Sequence, residues 1–514
     1  ICQPVDLIGQ DTLGFNSTFV RLGDSMSVRN EVILITYADS LGSNLAELHL
    51  LLEKYFRRED GGHAIGGVHV LPFFPSSADR GFAPVRYDEV DPELGSWADI
   101  AKLAEHYELT VDFMINHLSR RSPQFEDFLR RKDRSPYAKM FIRYKDFWPN
   151  GRPTDGQVEL IYKRKPRAPA VEIAFADGTA EEVWCTFDEE QIDLDLRHEV
   201  TREFVRASLI DLAERGARII RLDAFAYSIK KAGTTCFFVE PEIWELLEWA
   251  RNLLAPFGVE ILPEIHEHYS IQQKLADRGY WVYDFALPML LLHTLYTASN
   301  KRLLAWLEIC PRKQFTTLDT HDGIGVVDVF GLLSESEIER VRDELFNRQG
   351  NAKQVYNTPA YKNLDIYQIN CTYYSALGAD DDSYLLARVI QFFAPGIPQV
   401  YYVGLLAGEN DIDLVERTRV GRDINRHRYT SEEVAEEVSR SVVRRLIRLM
   451  RFRNSYPAFT GEFHVGEVAH EGELRLSWQS PTALTELTAD LKLRTFTIRY
   501  RDPDSGDMRL LDGV

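Results

Sequence analysis

Four short segments follow one another along the chain: Asp112-Phe-Met-Ile-Asn-His117, Arg221-Leu-Asp223, Glu264-Ile-His266 and Leu318-Asp-Thr-His321-Asp322. Each closes an apolar run. Carboxyls, a guanidinium and imidazoles gathered from separate runs are the equipment of proton transfer and of covalent attack on a sugar carbon. Retaining glycosyl transfer needs two carboxyl groups about 5 Å apart, one a nucleophile and the other a proton donor and acceptor. Asp223 and Glu264, at the ends of neighbouring runs, fit those two roles. Arg221 lies two residues before Asp223, so on a strand both side chains point the same way. A cation there is expected to keep Asp223 ionised. Glu264 follows the mostly apolar Val-Glu-Ile-Leu-Pro, surroundings that suit a carboxyl holding its proton. Asp322 is expected to hold sugar hydroxyls and steady an oxocarbenium-like transition state, with His117 and His321 as further hydroxyl partners.

A lone aspartate at a strand end caps a following helix more often than it catalyses. Several such ends in one chain favour chemistry. Metal binding is a rival use of the same residue types, but no HExxH or similarly close spacing occurs and no acidic cluster suggests calcium. No metal and no cofactor are expected.

The elements that must carry these residues can be read from periodicity. Strand-like apolar runs at 32–38, 67–73, 109–116, 217–225, 259–266, 281–287, 315–322 and 397–404 alternate with helix-period segments at 44–56, 97–107, 201–215, 241–254 and 384–393. Eight βα units close an α/β fold of the (β/α)8 TIM-barrel type, whose active site lies at the carboxyl ends of the strands. The 514 residues exceed the roughly 250 that a barrel takes. Two connections, 118–191 and 323–377, are far longer than the usual few residues and read as inserted loop subdomains. The expected division is therefore a barrel in three parts (31–117, 192–322 and 378–457), the two insertions, and a small β-rich C-terminal domain at 458–514. Residues 1–30 are expected to be a disordered or artificial extension. Their first 25 residues lack the basic and apolar regions of a secretory signal, and Met26 is a plausible start.

Composition bounds the partners. With 45% apolar and 27% charged residues and no apolar run long enough for a bilayer, a soluble enzyme without a membrane segment is expected. A net charge of -19 argues against nucleic acid, because neutralising phosphates requires a basic face. Five widely spaced cysteines with no CxxC pair fit a reducing cytoplasm. A monomer or homodimer is expected.

The four segments resemble the signature regions of the α-amylase superfamily in order and spacing. Further runs, among them Ile35-Thr-Tyr37-Ala-Asp39, Asp79-Arg-Gly-Phe82, Asn370-Cys-Thr-Tyr-Tyr-Ser-Ala-Leu377, Pro398-Gln-Val-Tyr-Tyr402 and Gly421-Arg-Asp-Ile-Asn-Arg426, resemble its sucrose phosphorylase branch over nearly the whole chain from Glu31. The resemblance implies a retaining phosphorylase that forms α-glucose 1-phosphate from a sugar substrate and inorganic phosphate. By position it implies Asp223 as nucleophile, Glu264 as acid/base and Asp322 as the third carboxylate, with Asp79, Phe82, His117, Gln191, Arg221, His321 and Arg426 shaping the glucose subsite and Phe82 stacked on the sugar face.

The leaving group is expected to be set by the insertions. Ile161-Tyr-Lys163-Arg164-Lys165-Pro-Arg167 places four cations in five residues of an acidic protein. A charge run is usually a solvated face. This one falls in the loop that resembles the family's acceptor and phosphate loop, where Lys163, Arg164 and Lys165 are candidates to hold an ester phosphate on fructose. The runs 75–84 and 119–122 resemble the branch members acting on sucrose 6'-phosphate, whereas Tyr367 resembles the loop of those acting on sucrose. Asp365 and Gln368 are candidate acceptor contacts. Phosphorolysis of sucrose 6'-phosphate is the expectation, with sucrose, glucosylglycerol and glucosylglycerate as alternatives. A retaining glucoside hydrolase or transglycosylase, or a non-catalytic sugar-binding protein, is the reading from a different class.

Overall fold

The computed structural model describes residues 28–57, 62–165, 167–350 and 368–514. Of the extension expected at 1–30, residues 1–27 lie outside the described residues, as do the candidates Asp365 and Tyr367, while Val28 is buried and Asn30 donates to the Phe459 carbonyl at 2.8 Å.

Eight short strands form one parallel sheet: β1 (Ile33–Thr36), β2 (Gly67–Val70), β3 (Glu108–Met114), β4 (Ile219–Asp223), β5 (Glu260–Pro263), β6 (Val282–Asp284), β7 (Gln314–Thr317) and β8 (Ile397–Tyr401). Each falls inside or overlaps one of the eight apolar runs. Their residues are buried almost without exception, which is why the runs show no polar alternation. The sheet runs in the order β6-β7-β8-β1-β2-β3-β4-β5, so every ladder joins neighbours in sequence and β8 pairs with β1. Its two ends, β5 and β6, lie side by side without a ladder, leaving the (β/α)8 barrel nearly closed.

The outer ring contains α1 (Leu45–Leu51), α2 (Trp97–His106), α3 (Glu199–Glu214), α4 (Glu242–Leu254), α5 (Ser270–Asp277), α6 (Leu287–Thr297), α7 (Asp381–Phe393) and α8 (Ser441–Ser455). Most bury one stripe, as their period requires. In α7 every residue from Ser383 to Phe393 is buried. The reason is an outer cover. An antiparallel sheet of β9 (Glu462–Val465), β10 (Glu473–Gln479), β11 (Leu484–Asp490), β12 (Thr495–Arg501) and β13 (Met508–Leu510) packs there, and Trp478 donates its indole N–H to the Phe393 carbonyl at 2.8 Å. Burial in β11 alternates residue by residue, so one face of this sheet meets the helices and the other meets water.

Both long connections return to the barrel mouth. The first is rooted by an antiparallel pair, His117–Ser119 with Gln191–Asp193, and has its own apolar cluster around Phe125, Phe128, Phe141 and Phe175. The second begins with Ile324–Gly325 paired to Gln368–Ile369. These pairings bring His117, Gln191 and Gln368 to the strand ends.

Candidate active site

Strand β3 runs beside β4 with Asp112 opposite Arg221 and Met114 opposite Asp223. Buried Arg221 is therefore met from two strands. Its Nη1 donates to Asp223 Oδ1 at 2.9 Å and also to Asp112, while Nη2 lies 3.2 Å from Glu264 Oε1. One guanidinium thus brings Asp223 and Glu264 to its two nitrogens, side by side at the ends of neighbouring strands. Directly after Asp223 the backbone turns left-handed at Ala224 (φ 52°, ψ 30°). That turn aims the Ala224 N–H at Glu264 Oε2, 2.9 Å away.

Burial opposes the ionisation of Asp223 that Arg221 favours. Burial pushes the Asp223 carboxyl well above its ordinary range; Arg221 acts against this, while Glu264, Asp112 and Asp322 add to it. A single guanidinium shared by three carboxyls cannot offset the burial of each. Asp112 is held down to about 2 because His69 and Arg221 together outweigh its burial. Asp322, buried as well, is held well below the ordinary range by His321, Arg422, His266 and Arg426. Burial brings His321 down to about 3, helped by Arg221 and Arg426 and only partly opposed by Asp322, so its ring is neutral near pH 7. The apolar run before Glu264 does not surround its carboxyl, which instead faces Arg221, the Ala224 N–H and His266 Nε2 at 3.7 Å.

The residues expected at the glucose subsite come together. Phe82 stacks on His321 with ring centroids 4.9 Å apart and planes 6° from parallel, so its flat contact here is the imidazole. The Phe82 carbonyl accepts from Gln191 Nε2 at 2.8 Å and lies 2.9 Å from His117 Nε2. His117 thus anchors the turn as well as facing the site. Asp79 Oδ2 is 3.5 Å from Arg422, and its Oδ1 is 3.8 Å from Arg426. Arg426 Nε donates to the His321 carbonyl at 3.0 Å. Arg422 also lies 3.3 Å from Asp322.

The cationic run sits at the mouth. Lys163, Arg164 and Lys165 are half-buried and line a pocket with Tyr162, Tyr227 and Trp184. Burial raises the Tyr227 phenol, and the nearby positive charge of Arg164 works against the rise. Arg164 also lies near enough to Arg422 for the two positive charges to interact. Lys165 is turned to Asp188, 3.2 Å away. Gln368 approaches His266, with Nε2 atoms 3.2 Å apart, so it reaches the Glu264 side of the site.

Several residues at the site escaped the sequence reading. Asp112 lay within a quoted segment, yet its bond to Arg221 depends on the β3–β4 register. Arg422 stands four residues before Arg426, one helical turn away, a signal that could have found it. Phe187 packs between His117 (5.6 Å) and Tyr227 (5.1 Å), and nothing in its local sequence marks it. Asp328, 3.2 Å from His266 Nδ1, is likewise unmarked.

Glu264, His266 and Asp322 present ligand-type atoms within 4.8 Å of one another, a grouping able to hold a cation that sequence spacing did not reveal. Each is already engaged: Glu264 with Arg221, Asp322 with Arg422 and His266 with Asp328. Among the described residues no helix is long and apolar enough to cross a membrane.

No family model matches the chain. It is 54% identical over 481 residues to the sucrose phosphorylase of Streptococcus mutans, covering 93% of this chain and 99% of that one. It is 47% identical over 494 residues to the sucrose 6(F)-phosphate phosphorylase of Thermoanaerobacterium thermosaccharolyticum, covering 95% and 100%. The crystal structure of a sucrose 6F-phosphate phosphorylase from Thermoanaerobacter thermosaccharolyticum superposes with a TM-score of 0.90 at 47% identity, covering 95% of this chain and 98% of that one.

Proposed function

The chain belongs to the sucrose phosphorylase family, and from that premise we propose that it is a retaining α-glucoside phosphorylase that converts sucrose 6'-phosphate and phosphate to α-glucose 1-phosphate and fructose 6-phosphate. The observation that carries the retaining mechanism is the pairing of Asp223 and Glu264 on the two nitrogens of Arg221. In the first half-reaction the Asp223 carboxylate attacks the anomeric carbon while Glu264 gives its proton to the departing fructosyl oxygen, leaving a β-glucosyl ester. A phosphate oxygen then attacks the same carbon, Asp223 leaves as carboxylate, and Glu264 ends the cycle protonated by taking up the phosphate's proton or one from solvent. Two displacements preserve the α configuration. Asp322, held ionised among Arg422, Arg426 and His266, stabilises the positive charge that develops on the ring.

The half-buried cations beside Tyr227 support the phosphorylated acceptor. Two anions pass through this mouth, inorganic phosphate and the ester phosphate, and a site rich in carboxylates must offset their charge locally. Arg164, whose charge acts on both Tyr227 and Arg422, is best placed to do so, and Lys163 lies beside it. Gln368, with Asp365 and Tyr367 before it, is read as contributing to the acceptor side. The four described cysteines are unpaired and buried, which fits work in a reducing cytoplasm.

The stronger identity to the Streptococcus mutans enzyme favours a second reading, in which sucrose itself is the substrate. The test is release of α-glucose 1-phosphate from sucrose 6'-phosphate and from sucrose at equal concentration with phosphate present. A higher kcat/KM for the ester is expected. Preference for sucrose moves the assignment to the second reading, and free glucose at an undiminished rate without phosphate identifies a hydrolase.

A further inference from the structure

The turn that carries Asp79 and Phe82 contains three consecutive residues at positive φ: Asp79 at 49°, Arg80 at 48° and Gly81 at 105°. Glycine is required at 81, since a Cβ there would lie 2.4 Å from the Pro72 carbonyl oxygen. Arg80 has no such freedom. Left-handed backbone works against an L side chain and persists only where the surroundings over-determine it.

What over-determines the turn is the Arg80 side chain. Its Nη2 lies 2.5 Å from Asp39 Oδ1 and 3.3 Å from Ser40 Oγ, and its guanidinium stands 3.9 Å from the centre of the buried Tyr37 ring. Asp39 is tied from its other oxygen to Arg428 at 3.1 Å. The flanking residues turn elsewhere: Asp79 toward Arg422 and Arg426, Phe82 onto His321. A substantially buried cation with an ion pair and a ring beneath it is a rigid anchor.

We infer that Arg80 is a positioning residue for the glucosyl pocket, acting through its pair with Asp39 and its stacking on Tyr37 to hold the left-handed turn that places Asp79 and Phe82. This rests on the reading of that pocket as the glucose subsite. The Arg80 clamp is made with Asp39, Ser40 and Tyr37, so its first effect falls on the glucosyl group and reaches the phosphate cations only through Asp79 and Arg422.

Arg80→Gly is the informative variant, because glycine is at ease at positive φ and only the clamp is lost. KM for the glucosyl donor and Kd for free glucose are expected to rise about tenfold or more, with kcat changed by less than about threefold and KM for phosphate unchanged. Arg80→Lys keeps the charge without the planar stack and should recover part of the loss. Asp39→Asn should reproduce it, and it stands in should Arg80→Gly not fold. Unchanged donor and glucose affinity in these variants overturns the inference, as does a rise in phosphate KM equal to that of the donor. Should the wild-type protein release no α-glucose 1-phosphate from either donor, the phosphorylase reading falls, and the glucose titration still tests the clamp alone.

Discussion

Ala224 donates its backbone N–H to Glu264 Oε2 at 2.9 Å while sitting left-handed immediately after Asp223. The peptide that follows one carboxyl therefore binds the other directly. Ala224→Gly removes the strain and should keep kcat with an equal or higher melting temperature. Ala224→Val forces a β-branched side chain into the same φ, at a cost of about 1–3 kcal/mol, and should lower both kcat and melting temperature. A valine variant with wild-type kcat would show that this peptide does not set the pair.

Asp223→Asn should lower kcat by about 10⁴-fold or more, since an amide cannot form the glucosyl ester. Mass spectrometry after a rapid quench should find a glucosyl adduct on the wild-type protein and none on the variant. Turnover near wild type would remove the nucleophile assignment.

The same variant has a stability signature. The folded-state pKa of Asp223 is raised above its unfolded value, so between those values the native state binds more protons and stability falls as pH rises. Asn carries no such cost. Asp223→Asn is expected to melt higher than wild type near pH 7, with the difference shrinking as pH is lowered toward the ordinary carboxylate range. An advantage that is constant with pH would mean the change is one of packing. For activity the sign is opposite: kcat/KM should fall on acidification as the coupled carboxyls take up protons, beginning above the pH at which an ordinary aspartate titrates.

Within the cationic run the three side chains should not be equivalent. Lys165 is already paired with Asp188, so Lys165→Ala should change KM by less than about twofold. Arg164→Ala should raise KM for phosphate and for sucrose 6'-phosphate about tenfold or more, and for sucrose far less. Lys163→Ala should fall between them. Equal effects on ester and sucrose would reduce the run to a surface feature.

Behind the third carboxylate, Arg388 Nη2 lies 2.6 Å from Asp319 Oδ2, with both side chains almost wholly buried. Asp319 sits on the loop that carries His321 and Asp322. Arg388→Leu leaves a buried carboxylate without its partner and should cost about 3–5 kcal/mol in denaturant unfolding. The double change Arg388→Leu with Asp319→Leu should recover much of that loss; no recovery would argue against the ion pair as the cause.

The barrel was legible because its strands are enclosed on both faces, so each appears as a short apolar run and helix-period segments separate them. All eight runs found their strands. The acids at the run ends were legible for a related reason: polar residues closing apolar strands stand out against their neighbours. Helix α7 shows the limit, since its amphipathic pattern gave no sign that the C-terminal sheet would cover its outer face.

By itself, then, the order of residues determined the strand count and the polar residues that close the strands at their carboxyl ends. Only the tertiary structure decided how their charge is shared. Arg221 meets Asp112 across 109 residues of chain, and Arg422 meets Asp79 across 343. Period and propensity act between near neighbours in sequence. Coulombic attraction and desolvation depend on distance and burial in space, and these exist only once the barrel has closed.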